Sequence, residues 1–269
     1  MTSPNDTNWS HPLITSFQPR QVNRRRLVLM TGAGLAAATS VVPLHLVTAQ
    51  ESSPVAETAI SGDDDARPLL ERAVRAMAEL DTFGFEIETI AGETSIMPGI
   101  NLGLVEGAVR RPNDFIASVE VSTPVGSLDL LAVGIGDQAW IQDPLSDGEW
   151  ISLEGIGDIS AILNPDTLVL TSISVIQGAR LDGEEKVDGF ETIRIAGTIN
   201  LAETAAMVDE AADQISSEPL DVLVWVNAED QIVEIEISGA ILASEDDSVI
   251  RSIRFFDFNK PVDIEQPPI

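Results

Sequence analysis

From residue 83 onward the chain alternates between apolar and polar positions. Phe83, Phe85 and Ile87 interleave with Gly84, Glu86 and Glu88, the period-two pattern of a strand with one buried face. Phe115, Ala117, Val119 and Val121 repeat it against Ile116, Ser118 and Glu120. Residues 128–133 are apolar on both sides, and residues 139–141 make a short strand after a turn at Gly136-Asp137. Residues 193–199, 222–226, 232–237 and 250–258 predict four more strands, with Asn227-Ala228-Glu229-Asp230 turning one of them into the next as a hairpin. Met97-Pro98-Gly99 is a further turn signal, set among Ile96, Met97 and Ile100.

In three places the spacing becomes helical. Pro68 suits a helix start, and Leu69, Ala73, Met77 and Leu80 recur on one side, mostly opposite Glu71, Arg72, Arg75 and Glu79. Asp158 is placed to cap a short helix over 158–163, stopped by Pro165, with a second piece over 168–176. Leu201, Ala205, Val208, Ala212 and Ile215 form the third stripe, with Glu203, Glu210 and Asp213 facing away. Helices and strands that each have one apolar face predict an α+β fold, a long curved antiparallel meander with helices laid across one side.

Ahead of these elements lies a segment of another kind. Arg24-Arg25-Arg26 precedes an apolar, Gly- and Ala-rich run that ends Val47-Thr48-Ala49. This is the pattern of a twin-arginine-type signal peptide over 1–49, cut before Gln50. Retained, the same run is long enough to serve as an N-terminal anchor. Residues 50–66, rich in Ser, Pro, Glu, Ala and Asp, read as a flexible acidic linker, and 67–269 as one domain.

Composition narrows the chemistry. Without residues 1–49 the chain loses four Arg and one Asp, which leaves 11 basic and 43 acidic residues and a net charge of −32. Such a surface repels nucleic acid and anionic headgroups at long range. His11 and His45 both lie in the leader, and the chain has no Cys and no Tyr. A Ser-His-Asp system and the usual zinc ligands are therefore excluded from the exported part. No segment has the alternating Asp/Asn spacing of a calcium loop. Gly134-Ile135-Gly136 and Gly155-Ile156-Gly157 are too short for phosphate loops and mark turns. Trp140, Trp150 and Trp225 can stack on sugars, although a strand Trp more commonly packs in a core. The expectation is an exported binding protein, not an enzyme, with no metal and no cofactor.

Six short pieces carry a resemblance. They are Met97-Pro98-Gly99, Glu106-Gly107, Ser160-Ala161-Ile162-Leu163-Asn164-Pro165, Val187-Asp188-Gly189, Val224-Trp225-Val226-Asn227 and Asp257-Phe258-Asn259-Lys260-Pro261-Val262. In this order and at these intervals they resemble the mycobacterial LppX/LprG lipoprotein family, itself similar in fold to the LolA carriers, over nearly all of 67–269. The resemblance implies a half-barrel sheet whose concave face, roofed by helices, encloses an apolar cavity for acylated lipids or glycolipids. Family members usually carry a lipidated cysteine after the leader, and this chain has none.

Strand parity selects the side chains for the wall of such a cavity: Phe85, Ile87, Ala117, Val119, Leu128, Leu130, Ile193, Ile195, Val222, Val224, Val233, Ile235, Ile253 and Phe255. A cavity wall and a solid core use the same alternation, so parity leaves both open. The expected function is a monomeric, exported cell-envelope carrier of acylated lipid or glycolipid, with membrane contact through Ile96, Met97 and Ile100. The alternative is a non-transporting interaction or sensor module of the same fold with a filled interior.

Overall fold

The computed structural model describes residues 60–97, 99–142, 148–153, 173–200, 216–241 and 245–268, excepting the side chains of Ile96 and Met97. The leader, the helices expected over 158–163 and 201–215, and most of the piece expected over 168–176 lie outside the described residues. At the end of that last piece Ile173 and Ser174 are helical.

Helix α1 spans Ala66–Ala78. The strands are β1 (Thr82–Ala91), β2 (Thr94–Met97), β3 (Ile100–Arg110), β4 (Asp114–Thr123), β5 (Gly126–Ile135), β6 (Gln138–Gln142), β7 (Trp150–Ser152), β8 (Gln177–Val187), β9 (Phe190–Ile199), β10 (Leu220–Asn227), β11 (Ile232–Ser238) and β12 (Ile250–Phe256). They form one open, curved, antiparallel sheet in the order β7-β6-β5-β4-β3-β1-β12-β11-β10-β9-β8, with β2 added on β3. The single meander expected from the alternation is two meanders, β3–β7 and β8–β12, joined where β1 pairs with both β3 and β12.

Helix α1 begins two residues before Pro68, which the free first-turn N–H positions allow. Ala66, Leu69, Leu70, Ala73, Val74 and Met77 are buried on one sheet face, called here the inner face. Arg111 at the end of β3 donates to the carbonyls of Met77 and Leu80, satisfying the open end of the helix, and its guanidinium stands 5.5 Å from the Phe83 ring centre. Arg72 reaches Asp230 in the β10–β11 turn at 2.9 Å. The linker expected to run loosely through Ala66 is docked from Ile60 on. Ile60 is buried, the Ser61 N–H donates to the Ile176 carbonyl, and Gly62 bridges Ala179 at the start of β8.

The inner-face core is aromatic nearest the C-terminal end of α1. Phe83 and Phe255 meet edge-to-face at 5.9 Å, with Phe85 and Phe115 buried beside them. Their rings lie over glycines of neighbouring strands, Phe85 over Gly107 and Phe115 over Gly134. On the outer face a smaller core of Ala108, Ile116, Leu131, Val133 and Trp140 is covered by Ile264 and Val262 from the C-terminal segment. Arg110 holds that segment by donating to the Ile264 carbonyl at 3.0 Å.

The ring-over-glycine packing fixes an expected outcome. A Cβ at Gly107 would collide with the Ile116 carbonyl oxygen and lie 2.6 Å from Phe85 Cζ. Gly107→Ala should cost about 1–3 kcal/mol in urea unfolding, as overpacking does. Gly136→Asn, at a turn with φ +58° and open space around it, should be close to neutral. Equal effects of the two substitutions would contradict this packing.

Candidate binding face

Antiparallel partners directly opposite each other share a face, so the register identifies what lines the inner one. Leu130, Val119, Val105, Ile87, Ile253, Ile235, Val224, Ile195 and Leu181 pair in turn and form one aliphatic row across nine strands. Burial is uneven along it. Ile235, Val224 and Ile195 are fully buried, whereas Leu130, Ile87 and Ile253 are half-buried and Leu181, at the edge, is 47% exposed. Farther from the C-terminal end of α1 a second row begins Leu128–Val121–Leu102, and both leucines are again half-buried. A bulge in β3 between Leu102 and Val105 lets both side chains face inward.

Most of the residues selected by parity therefore lie together. Phe85, Ala117, Val119, Ile195, Val222, Val224, Ile235 and Phe255 are buried in the inner cluster, and Ile87, Leu128, Leu130 and Ile253 pack against it half-buried. Two lie apart from that cluster. Ile193 pairs with Val226 of the inner cluster but is itself 37% exposed and outside that cluster. Val233 is buried yet joins neither cluster, because Val226 pairs with Ile232 and the β11 phase slips there. Val105 and Leu102 escaped selection because β3, with Gly103 and Gly107, shows no regular alternation. Ile100 is half-buried against the same cluster at the start of β3.

A buried charged pair stands on this face. Arg251 is opposite the inward Ile237, and its Nη2 lies 2.6 Å from Glu245 Oε1, with both side chains buried. That contact is an ion pair without hydrogen-bond alignment. Arg251 Nε donates to Thr94 Oγ1 at 2.9 Å and Nη1 to the Gly239 carbonyl at 3.1 Å. Glu245 accepts from the backbone N–H groups of Ser95 and Ile241. The pair thus ties β2 to the β11–β12 connection. Removing either partner would strand a buried charge, at a cost of about 3–5 kcal/mol.

The outer face over β1, β3, β11 and β12 is ionic. Glu86 and Glu106 sit opposite each other and are buried, and Arg254, opposite both Glu86 and Glu234, donates to Glu86. Trp225 Nε1 donates to Glu185, so this Trp is a packed outer-face residue, like Trp140. Glu234 accepts from Ser252 at 2.7 Å. Burial, aided by Asp188, Glu236 and Glu185, nevertheless lifts its carboxyl above the ordinary glutamate range. Among the described residues no group of three or more His, Cys, Asp or Glu could hold a metal ion, and no helix is long and apolar enough to cross a membrane.

The family model described as LppX_LprAFG lipoprotein matches residues 65–264. The chain belongs to that family. The lipoarabinomannan carrier protein LprG of Mycobacterium tuberculosis (strain H37Rv) is 25% identical over 166 residues, 60% of this chain and 66% of the relative's length. LprG of Mycolicibacterium smegmatis is 24% identical over 202 residues, 67% of this chain and 81% of its own. Two solved structures share the fold. LprF of Mycobacterium bovis has a TM-score of 0.56 at 16% identity, covering 77% of this chain and 99% of its own. LppX of Mycobacterium tuberculosis has a TM-score of 0.51 at 20% identity, covering 76% and 100%. The chain spans just under two thirds of the length of the first of these relatives.

The shifted carboxyl of Glu234 gives this family member a pH signature. A raised folded-state pKa means that the folded protein binds the proton more tightly than the unfolded chain, so stability falls as pH rises from the ordinary glutamate range through the raised value. Glu234→Gln keeps an oxygen for Ser252 and removes the charge. Its melting temperature should exceed wild type at neutral pH, and the difference should vanish in acid. A variant less stable than wild type at neutral pH would reverse the sign.

Proposed function

We propose that this protein is an exported carrier that holds the acyl chains of a lipid or glycolipid against the inner face of the sheet, working outside the cytoplasm as a monomer. The observation that carries the reading is the half-buried stretch of aliphatic side chains formed by Leu128, Leu130, Leu102, Ile87 and Ile253. Solid cores bury such residues almost completely, whereas a surface that takes up and releases a mobile hydrocarbon leaves them room. Relatives named lipoarabinomannan carrier proteins support the same class of ligand. Acyl-chain binding needs no nucleophile, base or metal, and the buried Arg251–Glu245 pair beside the aliphatic surface is internally neutral.

Contact with the membrane through Ile96, Met97 and Ile100 belongs to this reading, because the β2–β3 turn stands at the end of the sheet where the half-buried leucines lie. The chain holds no cysteine for a lipid anchor, so the reading assigns it to the aqueous side of the envelope or to a retained leader.

Tryptophan substitutions separate a ligand-accepting face from a filled one. Leu130→Trp and Ile253→Trp place bulk where side chains are half-buried, and should leave the melting temperature nearly unchanged while abolishing uptake of a fluorescent fatty acid. Val224→Trp, at a fully buried position of the same row, should lose about 1–3 kcal/mol. If all three are equally destabilised, the interior is solid and the alternative, a non-transporting module, takes its place.

A further inference from the structure

The turn between β4 and β5 carries the most exposed of the large hydrophobic side chains described, Val125, at 73%. It follows Pro124 and precedes Gly126 and Ser127, all exposed. The turn abuts the one between β2 and β3: a Cβ on Gly99 would lie 3.6 Å from Pro124 Cγ, ordinary van der Waals contact. Both turns therefore project together from one end of the sheet.

Their composition departs from that of the chain around them. With 22% charged residues and a net charge of −29, the protein nonetheless has no charge from Thr94 to Val105 or from Val121 to Leu128. Glu93, Glu106, Glu120 and Asp129 bound the two stretches. Some of the polar groups of the β4–β5 turn bond within the turn. Thr123 Oγ1 donates to the Gly126 carbonyl at 2.8 Å and accepts from the Val125 N–H at 3.3 Å, and the Ser122 and Ser127 hydroxyls lie 3.5 Å apart. An apolar tip that closes part of its hydrogen bonds on itself enters the headgroup region at reduced desolvation cost. Just below it, Leu128, Val121 and Leu102 continue the apolar surface to the Leu130–Val119–Val105 row without a charged side chain between.

We propose that the β4–β5 turn, with Val125 at its tip, is a membrane-docking element that stands beside the β2–β3 turn and inserts shallowly into a lipid bilayer surface. The occupant is a bilayer and not a protein groove, because the uncharged turns are where this strongly acidic molecule can approach headgroups without repulsion and where the acyl-chain surface reaches the rim. The small apolar area makes docking weak and reversible, as a carrier that must leave the membrane requires. This inference rests on the lipid-carrier reading for its purpose and on Val125, Pro124 and their surroundings for its site.

The test uses the exported protein and vesicles of phosphatidylcholine, alone or doped with phosphatidylglycerol. Val125→Trp should raise co-sedimentation with phosphatidylcholine vesicles several-fold and Val125→Asp should lower it several-fold, and phosphatidylglycerol should weaken binding of all three proteins. Uptake of a monomeric fluorescent fatty acid below its micelle concentration, which needs the inner face but no bilayer, should be the same in all three. Vesicle binding that ignores both substitutions overturns the docking proposal, as does a loss of fatty-acid uptake in Val125→Asp that matches its loss of vesicle binding. Failure of wild type to take up fatty acid while Val125 still governs vesicle binding would strike the carrier reading and leave the docking element standing.

Discussion

Register across the sheet is the constraint on which the rest of this molecule depends. The row from Leu130 to Leu181 exists only because eight successive strand pairings place one branched aliphatic opposite the next. A one-residue slip in any strand would turn its apolar set outward and bring Glu86, Arg254 or Glu234 into the interior. The ionic outer face favours the same register, since Arg254 on β12 reaches Glu86 and Glu88 on β1 in the observed pairing. Hydrophobic burial on one face and charge pairing on the other therefore specify a single alignment.

The inner face is graded along the strands. Near the C-terminal end of α1 it is closed, with phenylalanines laid over glycines. At its middle the aliphatic row passes from fully buried on β9, β10 and β11 to half-buried on β1, β5 and β12. Beyond that, Arg251 and Glu245 join β2 to the β11–β12 connection. A buried ion pair commonly adds little net stability over apolar residues of similar volume. Its place between β2 and the β11–β12 connection makes it a geometric tie that holds the β2–β3 hairpin.

Much of this was legible from alternation alone. The strands β1, β4, β9, β10, β11 and β12 each keep period two over most of their length, β5 shows as a run apolar on both sides, and α1 keeps its helical stripe. Strand β3 was not legible, because its bulge sets Leu102 and Val105 on the same face and its glycines leave space for neighbouring aromatic rings instead of adding apolar side chains. Strand β8 was hidden for a different reason. As an edge strand exposed along most of its length it carries Arg180, Asp182, Glu184, Glu185 and Lys186, the charges that protect an open edge. For the candidate site, parity placed Leu130, Ile87 and Val224 on one face but could not register the slip at Val233 or the marginal place of Ile193. Nor could it show burial, the property that separates Leu130 from Val224. Arg251 was invisible because its position follows the strand's parity while its chemistry does not.

A half-buried aliphatic surface that holds hydrocarbon should carry it through purification. Native mass spectrometry of protein purified without detergent from several expression hosts tests this most directly. Added masses in the range of acylated lipids are expected on the folded protein and should be lost on denaturation. Protein of bare chain mass from every host, with its stability unchanged by added lipid, would contradict it.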